Sequence, residues 1–77
     1  MKKLTLAECV AQKTYKILKI NCPDKRLAQQ LDNLGFMEEE SVTFLKSNYG
    51  KKSFLVKVMG INIALDKHVC EMIDCYE

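Results

Sequence analysis

The reading of one stretch, LDNLGFMEEESV from Leu31 to Val42, decides the fold, because a helical pattern ends inside it and an alternating one begins. On its N-terminal side, Leu27, Leu31 and Leu34 recur at i, i+4 and i+7 with Ala28 beside them, the spacing of one apolar helix face. Asp24, just after Pro23, has the side chain to cap the first turn. Gly35 supplies a residue that enters the left-handed region without a Cβ penalty and so stops the helix. The pattern predicts a helix over about residues 24–34, with Lys25, Arg26, Gln29, Gln30 and Asn33 on the solvated side. Phe36 and Met37 form an apolar pair directly after the stop, and Glu38, Glu39 and Glu40 are expected in an exposed bend.

Beyond residue 40 the period becomes two. SVTFLK places Val42 and Phe44 on one face and Thr43 and Leu45 on the other, and SNYGK then reads as a turn. Phe54, Val56 and Val58 alternate with Leu55 and Lys57. After a break at Gly60, Ile61, Ile63 and Leu65 alternate with Asn62 and Ala64. The tail has room for a single helical turn capped by Asp66, followed by a strand, MIDCY, with Ile73 and Cys75 on one face. The first twenty residues fit two patterns: Leu6, Val10, Ile17 and Ile20 suit a long helix, whereas TYKILKI is rich in β-formers without a clean alternation.

With 77 residues, the chain is expected to be one domain over residues 1–77 with a small core, since a chain this short buries roughly 60% of its unfolded surface. A composition of 48% hydrophobic and 29% charged residues is that of a globular domain. No segment approaches the ~20 apolar residues of a membrane-spanning helix, and the two N-terminal lysines lead into no signal-like apolar core, so a cytoplasmic location is expected. The net charge of +2, with basic residues spread from Lys2 to Lys67, is not the concentrated stripe of a nucleic-acid binder, and no nucleic-acid partner is expected.

Four cysteines, Cys9, Cys22, Cys70 and Cys75, contain no C-x-x-C pair, and free core thiols are expected. His68-x-Cys70 with Cys75 is the most metal-like group, since imidazole and thiolate are good ligands for Zn²⁺ or Fe²⁺. Alone, these residues leave a structural site incomplete unless Cys9 or Cys22 joins them. They remain weak metal candidates, and no cofactor is expected. No nucleophile–base set and no phosphate loop is present, so a non-enzymatic protein is expected. The candidate partner-binding residues are Phe36 and Met37, as an apolar anchor, and Tyr49, Lys51 and Lys52 in an aromatic and basic loop. Packing of Phe36 and Met37 in the core competes with the anchor role.

The order of these elements, with Leu31-x-x-Leu34-Gly35-Phe36-Met37 followed by Val42, a glycine at 50, Val58-x-Gly60-x-x-x-Ala64-Leu65 and Ile73, resembles the FeoA family of small bacterial proteins linked to ferrous iron uptake. The likeness runs from Leu4 to Cys75. The apolar frame agrees while the polar decoration differs: Glu38-Glu39 stand where the family often has Pro-Gly, and Lys51-Lys52 where it has Asp-Pro. The resemblance implies a mainly β fold, a small SH3-like barrel of about five strands with one inserted helix, and it makes TYKILKI the first strand. It further implies an adaptor or regulator of the FeoB-type transporter, docking on its cytosolic GTPase domain and peripheral to the membrane only through that partner. A metal-binding sensor related to the accessory domains of iron-dependent repressors is the alternative. Exposed barrel edges leave weak self-association open.

Overall fold

The computed structural model describes residues 3–48, 50 and 52–77. The chain forms β1 (Lys3–Thr5), a single 3-10 turn (Leu6–Glu8), β2 (Lys13–Ile20), α1 (Lys25–Leu34), β3 (Ser41–Asn48), β4 (Ser53–Val58), β5 (Ile61–Asp66), α2 (Lys67–Glu71) and β6 (Ile73–Tyr76). The strands make one sheet in the order β1-β6-β2-β3-β4-β5, and every neighbouring pair is antiparallel. Among the described residues there are thus six strands, one beyond the five that the sequence pattern marks. The additional one is β1, whose three residues are too few for a period to register in sequence.

Two irregularities bend this sheet. On β2 one extra residue sits between Ile17 and Lys19 opposite β6, and on β3 one sits between Phe44 and Lys46 opposite β4. Bulges of this kind kink a strand and increase its local twist. The bulge in β2 also explains why TYKILKI showed no clean alternation. The edge strands β1 and β5 are bridged by the short helices, since α2 packs against both the 3-10 turn and β5.

The core inside this curved sheet includes Leu6, Tyr15, Ile17, Leu31, Phe36, Val42, Phe54 and Val56, each 2% exposed or less. Cys70, Ile73 and Cys75 complete it from the C-terminal side. The Tyr15 hydroxyl accepts a hydrogen bond from the Val10 N–H at 2.9 Å, which satisfies the polar end of an otherwise buried ring. Phe44 and Phe54 pack with ring centroids 5.5 Å apart across the β3–β4 pair.

Helix α1 begins and ends as its residues require. Asp24 Oδ1 accepts from the N–H groups of Arg26 at 2.9 Å and Leu27 at 3.3 Å. At the other end Gly35 is left-handed, with φ 107°; its N–H donates to the Asp32 carbonyl and that of Phe36 to the Leu31 carbonyl, both at 3.0 Å. This is a Schellman closure, and its usual apolar contact is supplied by Leu31 and Phe36, both core residues. Asp66 caps α2 by accepting from the Val69 N–H at 3.0 Å.

Candidate functional site

The chain reversal after α1 builds a surface as well as a turn. Phe36 points into the core and is 0% exposed, so it is the floor of this region and not a contact at its surface. Met37, the other half of the apolar pair, is 41% exposed. The acidic bend that follows is pinned to β2: the Glu39 N–H donates to the Ile17 carbonyl at 2.7 Å, and the Ile17 N–H to the Glu40 carbonyl at 2.9 Å. Glu39 takes φ 71° in this bend, and its carboxylate accepts a 2.6 Å bond from the Tyr76 hydroxyl, which holds that phenol above its ordinary pKa.

A second turn meets the first. Between β4 and β5, Met59 and Gly60 both have positive φ, 53° and 78°, the pair of left-handed residues that closes a two-residue hairpin. The side chain of Met59 reaches Gly35: a β-carbon built on that glycine would stand 2.5 Å from Met59 Cγ. The exposed large apolar residues Leu34, Met37, Met59 and Ile61, between 39% and 58% exposed, thus all stand at or beside the two turns that meet where Met59 reaches Gly35. Met37 also lines an open cleft of about 370 Å³ between α1 and the reversal, together with Ile20, Ala28 and Phe36 and with Asp32 and Glu38 as acidic members.

Three of these residues escaped the sequence pattern. Leu34 was expected on the buried stripe of α1, but only Leu31 is fully buried there, because the helix turns its last residue past the edge of the core. Ile61 shares the core face of β5 with Ile63 and Leu65, since the three stand opposite the buried Val58, Val56 and Phe54, but at the first position of this edge strand it is 54% exposed where Leu65 is 8% exposed. The signal that could have pointed to this surface is Met59-Gly60, a hairpin turn with methionine where asparagine, aspartate or glycine is favoured.

The second candidate region lies at the far end of β4. Lys52 is exposed beside a concavity of about 450 Å³ that it lines with Gly50, Asp66, Lys67 and His68. Tyr49 and Lys51 fall outside the described residues. Because β4 has six residues at ~3.3 Å each, Lys52 and Met59 stand about 20 Å apart, and the apolar and basic candidates form two surfaces, not one.

The metal candidates separate in the same way. The His68 side chain is 92% exposed, with Nδ1 3.9 Å from Glu71 Oε1, whereas Cys70 and Cys75 are 0% exposed in the core. Among the described residues no three His, Cys, Asp or Glu side chains are arranged to hold a metal ion. Instead, Cys9, Cys70 and Cys75 are all buried in the core, where the Cys9 thiol donates to the Thr5 carbonyl at 3.5 Å and the Cys75 thiol to the Ile73 carbonyl at 4.0 Å. Burial pushes the Cys70 thiol up to about 12. All four cysteines are free thiols.

A bent antiparallel sheet closed by short helices, carrying one inserted helix and exposed apolar residues at its chain reversal, defines a small SH3-like module. Residues 4–76 match the family model of the FeoA domain, and the chain belongs to that family of ferrous iron transport accessory proteins. A Helicobacter pylori protein named as an Fe(2+) transport protein A is 32% identical over 65 residues, which are 84% of this chain and 83% of that one. Among solved structures, iron(II) transport protein A from Clostridium thermocellum superposes with a TM-score of 0.86 at 19% identity, covering 95% of this chain and 44% of that chain. The Stenotrophomonas maltophilia FeoA complexed with zinc, described as a procaryotic SH3 domain protein, superposes at 0.79 with 22% identity, over 91% of this chain and 86% of that one. At such identities the structural likenesses establish the fold. None of the described helices is long and apolar enough to cross a membrane.

Proposed function

We propose that this protein is a cytoplasmic, non-enzymatic adaptor that docks on the cytosolic GTPase domain of an FeoB-type ferrous iron transporter and regulates iron uptake through it. Membership of the FeoA family supports the system, and the single observation that supports docking is the exposure of Leu34, Met37, Met59 and Ile61 at the two turns that meet beside Gly35. Large apolar side chains exposed at two turns that meet are the kind of anchor that dominates protein interfaces. The acidic members of the adjoining cleft, Asp32 and Glu38, favour a basic rim on the partner. An adaptor of this kind alters transport only if it binds the partner's nucleotide states with different affinity.

The test is a heteronuclear NMR titration of labelled protein with the GTPase domain in its GDP and GTP-analogue forms. Shifts confined to residues 34–37 and 59–61, differing between the two nucleotide states, are the expected result. A spectrum that stays unchanged to high micromolar partner in both states overturns the proposal, and shifts confined to Lys52 and its neighbours move the docking surface to the basic end. Titration with Fe²⁺ or Zn²⁺ addresses the sensor alternative, which requires saturable binding.

A further inference from the structure

The sheet has two edges, and the sequence guards only one of them. β1 is three residues long and carries Lys3, the short, charged kind of strand by which a sheet edge avoids pairing with another chain. β5, Ile61–Asp66, is twice that length, and from Ile61 to Leu65 it holds neither a charge nor a proline. The hairpin fixes where its backbone groups point. Met59 and Gly60 close a two-residue turn, so Val58 and Ile61 exchange both backbone bonds, and by alternation so do Val56 with Ile63 and Phe54 with Leu65. Asn62 and Ala64 lie between these pairs, and their N–H and C=O groups therefore point away from β4. Both residues are exposed, and among the described residues no strand pairs with β5 on that side.

We infer that β5 is a self-pairing edge: two copies of this chain join antiparallel through β5, about a two-fold axis at Ile63, into a weak dimer. The register follows from which backbone groups are free. With Ile63 opposite Ile63 of the second copy, Asn62 of each copy faces Ala64 of the other. The two reciprocal pairs make four hydrogen bonds, two from each pair, and use every outward N–H and C=O of those residues. A register moved by one residue sets outward groups against groups already bonded to β4. The side chains favour a second copy as the occupant. On the barrel face Ile61, 54% exposed, meets Leu65 of the second copy and Ile63 meets its equivalent, while on the outer face Asn62 stands beside Ala64. Apolar residues thus lie on apolar ones and no like charges oppose each other, since Asp66 falls opposite Gly60 and Lys67 opposite Met59. Four backbone bonds and one short row of side chains make an interface well below the ~1,000 Å² of a stable complex, so the dissociation constant is expected at about 0.1–1 mM.

The experiment dilutes the reduced full chain from about 1 mM to about 20 µM, with a chelator present so that no metal bridges copies, and follows it by sedimentation velocity and amide NMR. The expected result is a monomer–dimer equilibrium in which residues 61–65 shift on dilution and the amides of Asn62 and Ala64 exchange more slowly in the concentrated sample. Mixing isotope-labelled with unlabelled protein is expected to give a contact between the Ile63 α-hydrogens of the two copies, the close pair in this register. Asn62→Pro removes an outward N–H and no bond to β4, so it is expected to stay folded by circular dichroism and to weaken the dimer at least tenfold. Ala64→Lys, at an exposed position, puts a charge on the edge and carries the same expectation. A chain that stays monomeric at ~1 mM overturns the inference. So does a dimer whose dilution shifts fall at Leu34 and Met37 instead of β5, or one that the folded variants retain. No transporter is present in the sample, so the inference and the docking proposal fail separately.

Discussion

Met59 lies across the face of Gly35, its Cγ 2.5 Å from the position that a β-carbon on the glycine would occupy. Two turns far apart in sequence thereby meet. Gly35→Ala meets both this obstruction and a backbone at φ 107°, where a side chain is strained. The variant is expected to lose about 1–3 kcal/mol of stability in denaturant titration. Unchanged stability would mean that Met59 swings away freely and that the two turns are not coupled.

Met59 itself holds a left-handed conformation at 58% exposure, an arrangement that local stability does not favour. Met59→Asn places the residue favoured in this turn beside Gly60. It is expected to hold stability within ~1 kcal/mol of the parent, on either side of it, while weakening association with the GTPase domain at least tenfold. Isothermal titration of the folded variant checks the pair of outcomes. Full affinity would remove Met59 from the interface.

Phe36 and Met37 are neighbours with opposite consequences. Truncating the buried Phe36 to alanine is expected to cost ~3–5 kcal/mol, a large share of the ~4–12 kcal/mol available to a domain of 77 residues. Met37→Ser, at a position 41% exposed, is expected to cost under ~1 kcal/mol and to act on binding. Chemical denaturation followed by circular dichroism separates them.

Alkaline pH tests the thiol core. The folded state holds the Cys70 proton up to about 12, whereas an unfolded cysteine releases it nearer 9.0. A pKa raised on folding gives stability that is complete below the unfolded value and is lost as pH climbs towards the folded one. Stability should therefore fall above pH 9, by up to about 1.4 kcal/mol per pH unit for this thiol midway between the two values, with the slope easing as pH nears 12. Cys70→Ala starts less stable because of the cavity, but its slope over this range should be shallower. The difference in slope is the readout, since Tyr76, also raised on folding, loses stability in the same direction in both proteins.

The local rules were legible because each was written in a few adjacent residues. Asp24 and Gly35 bound α1 as capping chemistry requires, Asp66 starts the one-turn α2, and the alternation of Phe54, Val56 and Val58 marks β4 with its core face. The resemblance carried by Leu34-Gly35-Phe36 and Val58-x-Gly60 extended this to the SH3-like architecture and placed β2 correctly. What sequence spacing left open depended on partners distant in the chain. The three-residue β1 exists because β6 is there to pair with it, and the bulge in β2 erased the alternation that would have revealed that strand.

The candidate site divides in the same way. The sequence by itself determined where the chain must reverse, since only a residue free to take positive φ closes α1 so abruptly, and which side chains were apolar enough to anchor a partner. Only the tertiary structure decided which of them are exposed: Phe36 inward, Met37 and Leu34 outward, Ile61 uncovered at the start of the edge strand β5, and Met59 laid over Gly35 from the turn between β4 and β5. It likewise separated the exposed His68 from the buried Cys70. Periodicity reports the direction of a side chain relative to its own element, whereas exposure and proximity depend on how a bent sheet brings several elements around one small core.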